Sequence, residues 1–294
     1  VRLGVVLRAE EGPDPLASLT CQAASAEASG LAMVVVEVGS AVESPLLAAG
    51  ALAANTRGLR LVVIEAVGRH PIGLAEDAVV VDNLSGGRLV LVLAGADEAE
   101  LAESAHVLAL ALRGRPFRHR GVRWTIPAQL ETNAHEETRI VVTPPPAQLR
   151  LPLWLAGAAA VDVGCTHRLP PLLEHPSGDT ARAAWDRFDA AHDAGDDFAS
   201  RPILIELAVD RDGRFEADDL IDLMRDHAGA WDMDTALIRF PASANDEARI
   251  AAIRHLGTHV RPRILQDRLP EGLQAHWDEH LADQLAAIAD EGPR

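Results

Sequence analysis

Two carboxylates interrupt runs that are otherwise apolar. Glu37 falls near the end of Leu31 to Val38 (L-A-M-V-V-V-E-V), and Glu65 near the end of Leu59 to Ala66 (L-R-L-V-V-I-E-A). A charge in a buried strand needs a partner or an opening to a polar site. Each is therefore expected to meet an arginine or to reach a binding cleft. All the available cations are arginine or histidine, because the chain has no lysine. That excludes Schiff-base chemistry and the P-loop lysine. Neither a G-x-S-x-G elbow nor an H-E-x-x-H run occurs. His255 and His259 have helical spacing, but no third ligand accompanies them, and no metal site is expected. Asp82 and Arg88 flank Ser85-Gly86-Gly87 and are expected to pair across a turn. Cys21 and Cys165 make no framework and are expected to be buried, reduced thiols.

The elements that must position these groups alternate. Val1 to Leu7 reads as a first strand, and a helical pattern over Pro15 to Ser29 ends at Gly30. Leu31 to Val38 is a second strand, followed by an Ala-rich helix from Pro45 to Thr56. Leu59 to Ala66 is a third strand. Pro71 opens the next helix, whose apolar side is Leu74, Ala75, Ala78, Val79 and Val81. Leu89 to Leu93 is a fourth strand, and Asp97 to Leu112 a fourth helix stopped by Gly114. Such alternation indicates a parallel sheet covered by helices.

A long connection, Arg115 to Leu149, then breaks the rhythm. Short strands are expected in it near Trp124 and at Arg139 to Val142. Strand five is Leu151 to Ala156 and strand six is Leu169 to Leu173, a poor strand because of Pro170 and Pro171. Thr180 to His192 reads as a helix with Ala184, Trp185, Phe188 and Ala191 on one side. Strands seven and eight are Pro202 to Val209 and Thr235 to Phe240. Between them lies an amphipathic helix, Glu216 to Ala230, with Leu220, Leu223, Met224 and His227 on one face. A last barrel helix spans Asp246 to Val260. The tail, 261–294, is expected to add a helix over Trp277 to Ala289 and to pack on the barrel. Eight strands favour a closed (β/α)8 TIM barrel, with residues 1–294 as a single domain.

Bulk properties fit this reading. Hydrophobic residues make up 48% of 294, whereas aromatics are 3% with no tyrosine, so the core must be aliphatic. A net charge of −17 argues against nucleic acid and anionic membrane surfaces as partners. No transmembrane run or leader is apparent, and a soluble cytoplasmic protein is expected.

The stretch Arg69 to Gly95 contains H-P-x-x-L-A-E-D, then V-D-N-L-S-G-G-R, then an apolar strand ending in glycine. It resembles the signature of the bacterial luciferase-like monooxygenases. Arg113-Gly114-Arg115-Pro116-Phe117, Gly121 and Trp124 are similar to that family's R-G-x-P-F-x-x-x-G-x-x-W, and a proline-rich approach to strand five follows. The resemblance implies a (β/α)8 barrel that uses FMN, or alternatively the deazaflavin coenzyme, to oxidise a small organic substrate. It also implies dimerisation, as a homo- or heterodimer, and a flavin reductase as a possible partner.

In such a barrel the site lies at the C-terminal ends of the strands. That rule selects Arg8, Glu10, Glu37, Ser40, Glu65, Ala66, Arg69, His70, Gly95, Ala96, Asp97, Gly157, Ala158 and Arg239. Of these, Glu37, Ala66, Arg69, Gly95, Ala96, Gly157 and Ala158 are expected to bind the cofactor. Gly95-Ala96 and Gly157-Ala158-Ala159 precede helices and would offer N–H groups to a phosphate, and Arg8, Arg69 or Arg239 would supply a cation. His70 is expected to serve chiefly as a helix-entry residue.

The chain departs from the family in four places. After strand four, where members usually have G-x-G and an insertion, it runs L-A-G-A-D-E-A straight into the helix, and the segment around strand six is compressed and proline-rich. Members usually carry a histidine just past strand two, where this chain has Glu37-Val38. Members also place Ser or Gly after strand five, where this chain has alanines. No catalytic residue follows from the sequence. Two functions are carried forward: a flavin-dependent oxidoreductase or monooxygenase, and a catalytically silent homologue acting as partner subunit or scaffold.

Overall fold

The fold is taken from a computed structural model, which describes residues 1–9, 14–37, 44–128, 138–174, 176, 178–191, 200–231 and 233–266. Its first half repeats one rule four times: an aliphatic strand, a short connection, a helix. Strands β1 (Arg2–Leu7), β2 (Met33–Val36), β3 (Arg60–Ala66) and β4 (Leu89–Ala94) alternate with α1 (Pro15–Ala28), α2 (Pro45–Asn55), α3 (Pro71–Leu84) and α4 (Glu98–Ala111). Proline opens α1, α2 and α3, where its missing N–H has no helical partner to lose. Asp14, Ser44 and His70 cap these helices. His70 accepts the Ile72 N–H through Nδ1, so it is the helix-entry residue the sequence suggests.

The long connection contains a small antiparallel hairpin, β5 (His119–Arg120) with β6 (Thr125–Ile126), and a bridge between Phe117 and Ile140. The barrel resumes with β7 (Leu153–Ala156), α5 (Ala160–His167), β8 (Leu173–Glu174), α6 (Gly178–Ala190), β9 (Pro202–Glu206), α7 (Ala217–Trp231), β10 (Thr235–Arg239) and α8 (Asp246–His255). A π-helical turn, Leu256–Val260, carries α8 into α9 (Arg261–Gln266). The expected helix from Trp277 to Ala289 lies outside the described residues.

Eight strands form one parallel sheet in the order β7-β4-β3-β2-β1-β10-β9-β8. The remaining seam, from β7 to β8, is joined by a single parallel bridge between Leu155 and Pro171. Leu155 N–H donates to Pro170 O at 2.9 Å and Leu172 N–H to Leu155 O at 2.6 Å. Pro170 and Pro171 lack N–H groups, which explains why the sixth barrel strand is so short. The ring of strands and covering helices is a (β/α)8 TIM barrel.

Two apolar layers follow from the pleat. Val6, Met33, Val35, Val62, Val90, Val92, Trp154, Leu204 and Leu237 fill the lumen, while alternate strand residues pack against the helices. A Cβ on Gly4 would lie 2.5 Å from Met33 Cγ and 2.9 Å from Leu237 Cδ2, so glycine there gives Met33 its space.

Several expectations are corrected. Asp82 and Arg88 do not pair. Arg88 reaches back to the end of α2, donating to Ala53 O, Thr56 O, Thr56 Oγ1 and Leu59 O, and also to Ser85 O. Asp82 is fully buried and accepts from the backbone N–H and the side-chain amide of Gln148, in the long connection. The two side chains leave the turn toward different neighbours. Cys21 is exposed on the outer side of α1 and Cys165 is half-buried. Ala191 and Leu223 are exposed, whereas Ile221 takes the core position beside Leu220 and Met224.

Candidate active site

The lumen register continues upward to the C-terminal mouth. Residues two beyond the last lumen side chains face the same way, which places Glu37 above Val35, Glu174 above Leu172, Glu206 above Leu204 and Arg239 above Leu237. Arg239 and Glu206 are direct register partners. Arg239 Nη2 donates to Glu37 Oε2 at 2.6 Å. Its Nη1 lies 3.8 Å from Glu206 Oε1 and 3.9 Å from Glu174 Oε2. Three carboxylates thus surround one guanidinium, which keeps this arc of the mouth electronegative.

The opposite arc is built from small side chains. Ala66, Ala96, Gly157 and Ala158 are exposed at the ends of β3, β4 and β7. These strands are consecutive in the sheet, as are β2, β1, β10, β9 and β8. The mouth is therefore divided into a ledge of Ala and Gly and a charged arc. Gly157 has φ 97°, and a Cβ on it would collide with Gly95 O, so only glycine lets these two strand ends close up.

The two helix starts on the ledge differ. Asp97 caps α4, accepting the Glu100 N–H at 2.8 Å, with Glu98 and Glu100 in the first turn. An anion is disfavoured there. Gly95 N–H is already donated to Ala156 O. At α5, Ala159 occupies the cap position and makes no side-chain cap hydrogen bond. The N-terminal N–H groups of α5 are thus without a side-chain acceptor at the cap.

The other sequence candidates separate. Arg69 pairs with Asp77 of α3 at 2.5 Å, away from the Glu37–Arg239 pair. Arg8 is exposed beyond β1. Its carbonyl is gripped by Gln22 at 2.8 Å and by Arg249 at 3.3 Å, both buried. Arg249 also donates to Ala242 O at 3.2 Å, so it ties the loops after β1 and β10 together. Glu10 and Ser40 lie outside the described residues. Glu65 faces the helix layer and is 5% exposed, and its Oε1 has no hydrogen-bond partner. Burial pushes its carboxyl above the ordinary range, against the opposing effects of Arg69 and the Leu46 N–H. Among the described residues no group of His, Cys, Asp or Glu is arranged to hold a metal, and no helix is long and apolar enough to cross a membrane.

Glu174, Glu206 and Arg249 gave no functional signal in the sequence. The first two end strands whose register the sequence does not reveal, and Arg249 sits in an ordinary helical pattern. Arg239 was visible at the end of strand eight and as one of three candidate cations for a phosphate, but not as the partner of three carboxylates.

A family model for luciferase-like monooxygenases matches residues 1–289. The chain belongs to the luciferase-like monooxygenase family. Solved structures of this fold agree. The monooxygenase RslO1 from Streptomyces bottropensis is 16% identical, with 90% of this chain and 100% of that one covered, at a TM-score of 0.74. The coenzyme F420 dependent tetrahydromethanopterin reductase from Methanopyrus kandleri is 13% identical over 90% and 99%, at 0.68. The oxygenating constituent of 3,6-diketocamphane monooxygenase from Pseudomonas putida, in complex with FMN, is 13% identical over 89% and 98%, at 0.62. No curated protein sequence matches the chain.

Proposed function

We propose that this luciferase-like chain is a cytoplasmic flavin-dependent oxidoreductase or monooxygenase that takes reduced FMN, or alternatively the deazaflavin coenzyme, at the barrel mouth and acts on a small organic substrate. The observation that carries this reading is the division of the mouth. The ledge of Ala66, Ala96, Gly157 and Ala158 offers a surface free of large side chains, against which a flat ring can lie. Below it the lumen is closed by Trp154, Val92 and Val62, which keeps water out. The start of α5, with no side-chain cap and with its first-turn acid Asp162 paired to Arg187, suits a phosphate better than the Asp97-capped start of α4. The flavin, when bound, would supply the redox change that no side chain of the mouth can supply.

The residues of the charged arc would handle the substrate. Glu37 fixes the Arg239 guanidinium, which can then orient a carbonyl or other acceptor. Glu174 lies beyond hydrogen-bond reach of Arg239, so its carboxylate keeps acceptor capacity for a substrate N–H or O–H. A reductase that delivers reduced flavin, and association as a homo- or heterodimer, belong to the same proposal.

One observation favours a second reading. Where relatives usually carry a histidine beyond the second strand, Glu37 is committed to Arg239. A chain kept as a silent partner subunit or scaffold would tolerate that. The visible spectrum of the purified chain, after incubation with FMN or the deazaflavin coenzyme and removal of excess, separates the two. A retained band near about 450 nm, or about 420 nm for the deazaflavin, is expected. A folded chain that retains neither would leave the silent reading.

A further inference from the structure

A single carboxylate organises the hairpin of the long connection. Glu103, on α4, accepts the N–H groups of Val122 at 3.1 Å, Arg123 at 3.0 Å and Trp124 at 2.8 Å. His119 Nε2 lies 3.1 Å from the same side chain. The Glu103 and His119 side chains are only 11% and 12% exposed. Gly121 is at the crowded point of this contact, since a Cβ there would collide with both the Glu103 carboxylate and the His119 ring. Arg123 adds an ion pair to Glu100 at 2.8 Å.

What the clasp delivers is Trp124. Its indole meets the His70 ring edge-on, with centroids 4.8 Å apart. His70 directly precedes α3, so this contact lies at the C-terminal face, beside the ledge formed by β3 and β4. The buried indole N–H has no hydrogen-bond partner. Buried tryptophan N–H groups usually find one. The placement of Trp124 is therefore imposed by the clasp rather than by the indole's own polar preference.

We propose that Glu103 is a positioning residue for the barrel mouth, holding the β5–β6 hairpin against α4 so that Trp124 walls the ledge over which a planar ligand binds. The proposal rests on the mouth being a flavin site. It is tested with the full chain and its Glu103→Ala and Trp124→Leu variants. Three quantities are read: affinity for FMN or the deazaflavin coenzyme, tryptic cleavage after Arg118, Arg120 and Arg123, and thermal midpoint.

Glu103→Ala is expected to weaken retention by about tenfold, as small misplacements at a site do. It should also raise hairpin cleavage by about tenfold, while the midpoint moves little. Trp124→Leu, which leaves the clasp intact, is expected to weaken retention alike with hairpin cleavage unchanged. Faster cleavage with unaltered affinity would reduce Glu103 to a structural tether and overturn the proposal. So would unaltered cleavage in Glu103→Ala. A wild-type chain that retains neither cofactor overturns the flavin reading, and with it the ligand role of Trp124, while the cleavage rates still report whether the clasp exists.

Discussion

The carboxyl of Glu65 follows Val63 on the helix-facing side of β3, whereas Glu37 follows Val35 on the lumen side of β2. Glu37 therefore meets Arg239, and Glu65 is closed in with one oxygen unpartnered. Because burial raises the folded-state pKa of Glu65 above the unfolded value, its contribution is fully present below about pH 4.5 and is lost as pH rises through the folded value. Glu65→Gln should remove that dependence. In urea unfolding the variant is expected to match wild type near pH 4 and to exceed it at pH 8 by about 1–3 kcal/mol, the cost of an unsatisfied buried group. Equal stabilities at pH 8 would count against this account. The sequence marked both carboxylates as anomalous, but it did not separate their fates. Each strand is apolar on both faces, so the phase of the pleat, which decides who meets an arginine, leaves no trace in the pattern.

At the scale of elements, the strand–helix rhythm was legible because each barrel unit is a local pattern with its own stop. Proline starts and glycine stops placed most of the helices within a residue or two. Side-chain ties between elements were not legible, since they depend on where a long side chain is free to go. Arg88 illustrates this. Its fork stitches the end of α2 and the approach to β3 onto the start of β4 through three backbone carbonyls and the Thr56 hydroxyl. Truncation by Arg88→Ala is expected to cost at least about 3 kcal/mol, since hydrogen bonds to a charged group contribute about 1.5–3 each and several are lost together. Arg88→Lys should recover only part of it, because an ammonium cannot reproduce the planar fork. Chemical denaturation of both variants checks this, and full recovery by lysine would rule it out. Carboxylates are used in the same manner on loops. Glu27 takes the N–H groups of Arg57 and Gly58 much as Glu103 takes those of the hairpin. Burial opposes ionisation at both, yet the backbone N–H groups outweigh it and hold both carboxyls below the ordinary range.

Across the whole molecule the wall is uneven. β3 and β4 share six register pairs, while β7 and β8 are joined by one bridge. Local opening follows such differences. The amides of Leu155 and Leu172 are expected to exchange with deuterium well before that of Leu61, which donates to Arg88 O across the β3–β4 pairing, and the reverse order would refute it. This seam also separates the two arcs of the mouth, with Gly157 and Ala158 past its β7 side and Glu174 on its β8 side. A ligand lying on the ledge and touching the charged arc would therefore act as a staple across the weakest line of the barrel, binding only the closed ring and slowing exchange at Leu172 in proportion to its occupancy.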